Sequence, residues 1–143
     1  MTTARTRAVP IDPVDWVSVR SDSQVRAGRT VRADDPYLVG HYPDLTVYPG
    51  VFLIETVYEA VARLVRRTHG PGTAAEPAVL RSVRFTTALR PGDPLEVDCE
   101  CTPGDRPDRL VAKAVCTTGQ ARAAQMTIEF RLVDTAAEGG PHA

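Results

Sequence analysis

A single long helical segment, apolar in nearly every direction, constrains the fold of this chain more than any other feature. Apolar side chains fill most positions of residues 51–65, which is typical of a helix buried on most sides. Pro49 suits a first helical turn, where its missing N–H leaves no hydrogen bond unmade. The glycines and proline of residues 70–72 predict the end of the helix. We therefore expect a helix over residues 49–67 that the rest of the chain must cover.

Runs with the alternation typical of strands lie on both sides of this helix. Residues 16–20 and 24–33 predict two strands before it. After a loop rich in Gly, Thr, Ala and Pro, alternation resumes and predicts four more strands, at residues 79–85, 95–101, 110–117 and 122–133. A lone buried helix requires a sheet that curls around it. The order predicts an α+β domain, with turns at Pro91-Gly92-Asp93 and Pro103-Gly104-Asp105.

Length and charge limit the classes of protein. The 143 residues suffice for one domain with a real core, which we place at residues 14–133, between flexible tails at 1–13 and 134–143. The net charge of −1 provides no strong field for nucleic acid. No apolar run approaches the about 18 residues that cross a bilayer, and no apolar segment follows Arg5 and Arg7 as in a secretory signal. We expect a cytoplasmic protein with no nucleic-acid or membrane partner.

The three cysteines, Cys99, Cys101 and Cys116, favour the same compartment. An odd number is a poor disulfide framework, and buried thiols commonly behave as small apolar groups. Cys99 and Cys101 would share one face of a strand, but no further ligands stand at zinc-site spacing. We predict structural thiols and no metal site.

Two residues in and after a proline-bracketed loop are the candidates for acid–base chemistry. His41 precedes Pro43, and Glu55 is a lone carboxylate early in the apolar helix. Imidazole titrates near neutrality, and apolar surroundings disfavour a charged carboxylate. Such a pair suits proton transfer. Read alone, His41 is as easily a solvated loop residue, and Glu55 a carboxylate favoured by the helix dipole.

A longer motif that contains both residues resembles the signature of a known family. The pattern H-Y-P-x5-P-G-V-x3-E resembles the signature of the 3-hydroxyacyl-[acyl-carrier-protein] dehydratases of type II fatty acid synthesis, and its positions are His41, Tyr42, Pro43, Pro49, Gly50, Val51 and Glu55. Residues 83–97, a strand that leads into an R-P-G-D turn, are similar to that family's second recurring segment. The resemblance implies a hot-dog fold, an antiparallel sheet wrapped around one long central helix, and a dimer with a continuous sheet.

The resemblance also implies the chemistry. His41 would remove the C2 proton of a 3-hydroxyacyl thioester, and Glu55 from the other subunit would hold or protonate the departing 3-hydroxyl. The product would be a trans-2-enoyl thioester and water. The backbone N–H of Gly50 or Val51 would bind the thioester oxygen, and a side chain at Gly50 would crowd the thioester. Acyl carrier protein is the implied partner, and no cofactor or metal is required.

Other residues are candidates for binding rather than chemistry. Tyr48, Phe52, Tyr58 and Phe85 are candidates for an acyl tunnel, although aromatic residues in such positions are more often plain core. Five arginines are candidates for receiving an anionic carrier protein, with solvated surface charges as the alternative: Arg66, Arg67, Arg81, Arg84 and Arg90.

Glu59 departs from the family, which usually carries glutamine four residues after the catalytic carboxylate. An ionised glutamate cannot donate a hydrogen bond, and it repels Glu55 one turn away. Arg63 stands where it would neutralise Glu59 from the next turn. Tyr58 replaces a small residue and reshapes the pocket. These changes indicate a specialised substrate, from a polyketide or dedicated fatty-acyl pathway.

Three other functions share this scaffold. A hot-dog thioesterase would hydrolyse the thioester, but such enzymes generally lack the H-x-P loop before a P-G helix start. One subunit of a heterodimeric dehydratase, paired with a paralogue, or an acyl-binding module is the second. Isomerisation of the new double bond is the third, and Glu55 makes it less favoured, because the relative that isomerises has Asp there.

Overall fold

The structure, a computed structural model, describes residues 14–32 and 50–135. The described chain forms one helix and six strands: β1 (Trp16–Val19), β2 (Gln24–Thr30), α1 (Gly50–His69), β3 (Thr73–Phe85), β4 (Pro94–Pro103), β5 (Arg109–Thr118) and β6 (Ala121–Asp134). This is the predicted order of two strands, one helix and four strands.

All six strands form one antiparallel sheet in the order β1-β2-β4-β5-β6-β3. The last three strands in the chain are neighbours, joined by short connections. β2 pairs with β4, although α1 and β3 lie between them in sequence, and β3 pairs with β6. As a result, β1 and β3 are the two terminal strands of the sheet.

The helix α1 packs against one face of this sheet. In β4, Leu95, Val97 and Cys99 are buried and alternate with exposed acidic residues, so that one face of the strand meets the core. The buried side of α1 faces them with Phe52, Leu53, Val57, Ala60, Val61, Leu64 and Val65. A helix of 20 residues is about 30 Å long, which lets it cross several strands.

The start of β3 differs from the prediction. The strand begins at Thr73, in the stretch that was predicted to be a loop. Its register with β6 shifts between Pro77 and Val79 and again between Leu80 and Ser82, so the simple alternation that marks a strand is interrupted. Pro77 has no N–H to donate, and a terminal strand tolerates that loss.

The other boundaries differ by a few residues. α1 continues to His69, β2 ends at Thr30, and β6 continues through Asp134. Thr135 then donates two hydrogen bonds to the carbonyl of Gly72, from its N–H at 2.8 Å and its hydroxyl at 2.9 Å. These bonds hold the end of β6 beside the start of β3. Over the described ranges, no helix has both the length and the apolar character needed to span a bilayer.

Candidate active site

The predicted site residues fall into two groups. His41 and Tyr48 lie outside the described residues. Gly50, Val51, Glu55 and the remaining predicted site positions lie on α1, in its first half. The described part of the candidate site is therefore the beginning of this helix and what surrounds it.

Gly50 is the first residue of α1 and is held against an aromatic ring. A β-carbon at Gly50 would lie 2.7 Å from Cζ of Phe85 and 3.0 Å from its two Cε atoms. The ring therefore occupies the place of a side chain at this position. The N–H groups of the first helical turn have no acceptor within the helix, so Gly50 and Val51 supply backbone donors at a positive helix end.

Phe52 lies on the inner side of the same turn. It is 1% exposed, and the guanidinium carbon of Arg29 lies 4.6 Å from the centre of its ring, within the range of a cation–π interaction. Arg29 is itself only 4% exposed. Phe52 is thus a core residue within the single chain.

Sequence reasoning missed Arg29. Val25, Ala27 and Val31, which lie two or four residues from Arg29 along β2 and its continuation and so share its face, are all buried. That spacing places Arg29 on the inner face. The available signal was a charged residue at an inward-facing position of a strand. Such residues are rarely buried unless they are paired, so this position could have been singled out.

Glu55 is exposed in the single chain, which corrects the expectation of an apolar environment. Thr56 next to it is buried and donates a 3.0 Å hydrogen bond to the carbonyl of Phe52. The stripe of α1 that carries Glu55 therefore points away from the chain's own core.

Glu59, one turn further, has the predicted partner. Nε of Arg63 donates a 2.8 Å hydrogen bond to it, and Nη2 of Arg66 lies 4.0 Å away. Glu59 and Arg66 line a cavity of about 260 Å³ between α1 and the start of β3, together with Tyr58, Ala62 and Thr73. The Tyr58 ring stacks on Phe130 at a centroid distance of 6.1 Å. The cavity wall is thus both charged and aromatic.

The three cysteines are free and buried, as predicted. Burial raises the pKa of the Cys101 and Cys116 thiols to about 12. It also raises the pKa of Cys99 well above the ordinary value. Because the thiolate is the nucleophilic form, these groups are unreactive near neutral pH.

The edge of the sheet at β3 exposes apolar surface. Leu80 is 53% exposed, Phe85 49% and Val79 44%, and β3 is the terminal strand on this side. Long, exposed apolar edge strands are templates for pairing with another chain. The five arginines considered for carrier binding are all exposed, and two of them are in ion pairs, Arg81 with Glu129 and Arg66 with Glu59.

The family model for ApeI-like proteins, described as "ApeI dehydratase", matches residues 17–129. A 3-hydroxyacyl-[acyl-carrier-protein] dehydratase FabZ of Clostridium perfringens is 34% identical over 88 residues, which are 61% of this chain and 63% of that protein. The chain thus spans a little under two thirds of that relative's length.

Two solved structures share the architecture. The fluoroacetyl-CoA thioesterase FlK superposes with a TM-score of 0.71 at 18% identity, over 87% of this chain and 96% of that one. The dehydratase heterocomplex ApeI:P from Xenorhabdus doucetiae gives 0.62 at 18%, over 87% and 99%. At such identities these likenesses bear on the fold, which is the expected hot-dog fold. With the match over residues 17–129, the chain belongs to the ApeI-like dehydratase family.

Proposed function

We propose that this protein dehydrates 3-hydroxyacyl thioesters on acyl carrier protein to trans-2-enoyl thioesters. The observation that carries the proposal is the start of α1, where Gly50 offers a backbone without a side chain and Glu55 presents an exposed carboxyl group five residues later. Membership of a dehydratase family supports this chemistry.

The reaction divides between two side chains and the helix start. His41 takes the proton from C2, and the C3–O bond breaks as the C2–C3 double bond forms. Glu55 gives its proton to the departing oxygen, which leaves as water. Negative charge that builds on the thioester oxygen is stabilised by the N–H groups of Gly50 and Val51; the loss of one such donor typically slows catalysis about 10²–10³-fold.

Two chains complete each site in this proposal. The exposed position of Glu55 and the apolar surface at the β3 edge both support a dimer in which the two sheets continue into one. His41 would then act with Glu55 of the other chain. The partner is a second copy or a paralogue; the Xenorhabdus doucetiae ApeI:P structure, a heterocomplex, supports considering the paralogue.

The substrate is a specialised polyketide or fatty-acyl chain. The cavity beside α1 is lined by the charged side chains of Glu59 and Arg66 and by the Tyr58 ring, whereas a pocket for a plain alkyl chain is mainly apolar. Exposed arginines near the helix end and β3 suit an anionic carrier protein.

A thioesterase is the second candidate, supported by the superposition on FlK. Intact-protein mass spectrometry of carrier-bound 3-hydroxyacyl substrates decides between the two functions. Loss of one water with the acyl group still on the carrier is the expected result. Release of free acid and bare carrier would replace the dehydratase proposal with the thioesterase.

A further inference from the structure

Phe85 is the last residue of β3, and its position is fixed by the residues that follow it. The hydroxyls of Thr86 and Thr87 both donate to the carbonyl of Arg122, at 2.8 and 2.9 Å. The N–H of Thr86 donates to Ala123 at 2.9 Å. These bonds tie the end of β3 to the start of β6. The backbone that carries the Phe85 ring is therefore held in place by hydrogen bonds.

The ring stands directly beside the proposed oxyanion donors. Its Cζ edge fills the space that a side chain of Gly50 would occupy, yet 49% of the residue is exposed. One part of the ring thus packs on the helix start, while another part is exposed in the single chain. Its partner in register on β6, Ala124, is fully buried and too small to cover it.

We propose that Phe85 forms the apolar wall of the thioester site. Its open surface packs against the thioester and adjoining pantetheine, and it keeps water from the carbonyl oxygen bound at the helix start. Gly50 is then required because Phe85 lies against it, as well as for any approach of the thioester. This inference rests on the proposed function, and it concerns the thioester end of the substrate, which all acyl chains share.

Matched substitutions test this role. Phe85→Ala is expected to lower kcat/KM about 10–100-fold, because small misplacements of a reacting group are costly, with Phe85→Leu intermediate. The loss should be equal for short and long acyl chains. Gly50→Ala is expected to be slower than wild type because its methyl group displaces the ring. The double variant Gly50→Ala/Phe85→Ala should recover part of that loss.

The opposite edge of the sheet provides a control. The Trp16 indole lies against Gly28 in the same way, so that a β-carbon at Gly28 would clash with it. Gly28 alternates with inward-facing Ala27 and Arg29, so this pair lies on the outer face of the sheet. Trp16→Ala should therefore leave kcat/KM unchanged, while urea midpoints and sizing show whether each variant remains folded and assembled.

Several results would overturn the inference. A Phe85→Ala loss that varies with acyl chain length would place the ring in the acyl tunnel, and dissociation of the dimer would make it an interface residue. A double variant no better than Gly50→Ala would remove the steric link.

A binding measurement separates this inference from the proposed reaction. An acyl-pantetheine analogue with an amide in place of the thioester should bind about tenfold more weakly to Phe85→Ala, a factor typical of one lost apolar contact. If the wild type binds the analogue about tenfold more tightly than Phe85→Ala but eliminates no water from the substrate, the proposed dehydration is refuted and the role of Phe85 is supported. Equal binding of the analogue by the wild type and Phe85→Ala would contradict the proposed role of Phe85, whichever reaction the enzyme catalyses.

Discussion

Nη2 of Arg81 donates a 2.6 Å hydrogen bond to Oε1 of Glu129, tying the terminal strand β3 to β6. Nη1 of Arg109 donates a second bond to Oε2, at 3.0 Å, from β5. Glu129 is buried between the two guanidinium groups. The hydrogen bond from Arg81, together with that from Arg109 and the two positive charges, holds the pKa of Glu129 below its ordinary value.

Glu129→Gln should therefore lower the urea midpoint at neutral pH. A lowered pKa in the folded state adds stability above the ordinary pKa of 4.5, and this contribution is lost as the pH falls through the folded-state pKa. The deficit of the variant should be full at neutral pH and should shrink in acid. Glu100→Gln, a change at an exposed carboxylate, is the control. A deficit that grew as the pH fell would contradict the assignment.

The β3 edge should be the assembly surface. Leu80→Glu places a charge on exposed apolar surface, so it is expected to convert a dimer to a folded monomer in analytical ultracentrifugation. Thr102→Glu introduces the same residue at an exposed position of the central strand β4 and should leave the dimer intact. If both variants remain dimeric, assembly uses another surface.

The buried thiols predict loss of stability in alkali. Their folded-state pKa values are raised, so the stabilisation they provide is complete below the ordinary thiol pKa of 9.0 and is lost as the pH rises toward about 12. Because other groups also titrate there, the comparison is between wild type and Cys116→Ala. Urea midpoints should fall less steeply with pH in the variant. Parallel declines would refute the contribution of this thiol.

The elements that the sequence predicted well are those whose pattern depends on one partner surface. Strand β4 alternates cleanly between buried and exposed residues because only one of its faces meets the core, and α1 is marked by its apolar density. The first half of β3 was missed because Pro77 and the register shift that follows it interrupt the alternation.

The sequence predicted which residues belong to the candidate site better than it predicted what surrounds them. The Glu59–Arg63 pair follows from helical spacing alone and is confirmed. Glu55 was expected among apolar groups, but its stripe of α1 points away from the chain's own core. The contact between Gly50 and Phe85 joins residues far apart in sequence, and no periodicity predicts it.

Crossed complementation tests most directly whether His41 and Glu55 from two chains form one dehydrating site. His41→Ala and Glu55→Gln should each abolish dehydration while remaining folded dimers. After equal mixing and reassembly, about half of the dimers are mixed, and each has one intact site in a two-fold arrangement, so about a quarter of the wild-type rate should return. No recovery, with mixed dimers verified by mass, would contradict a site shared between chains.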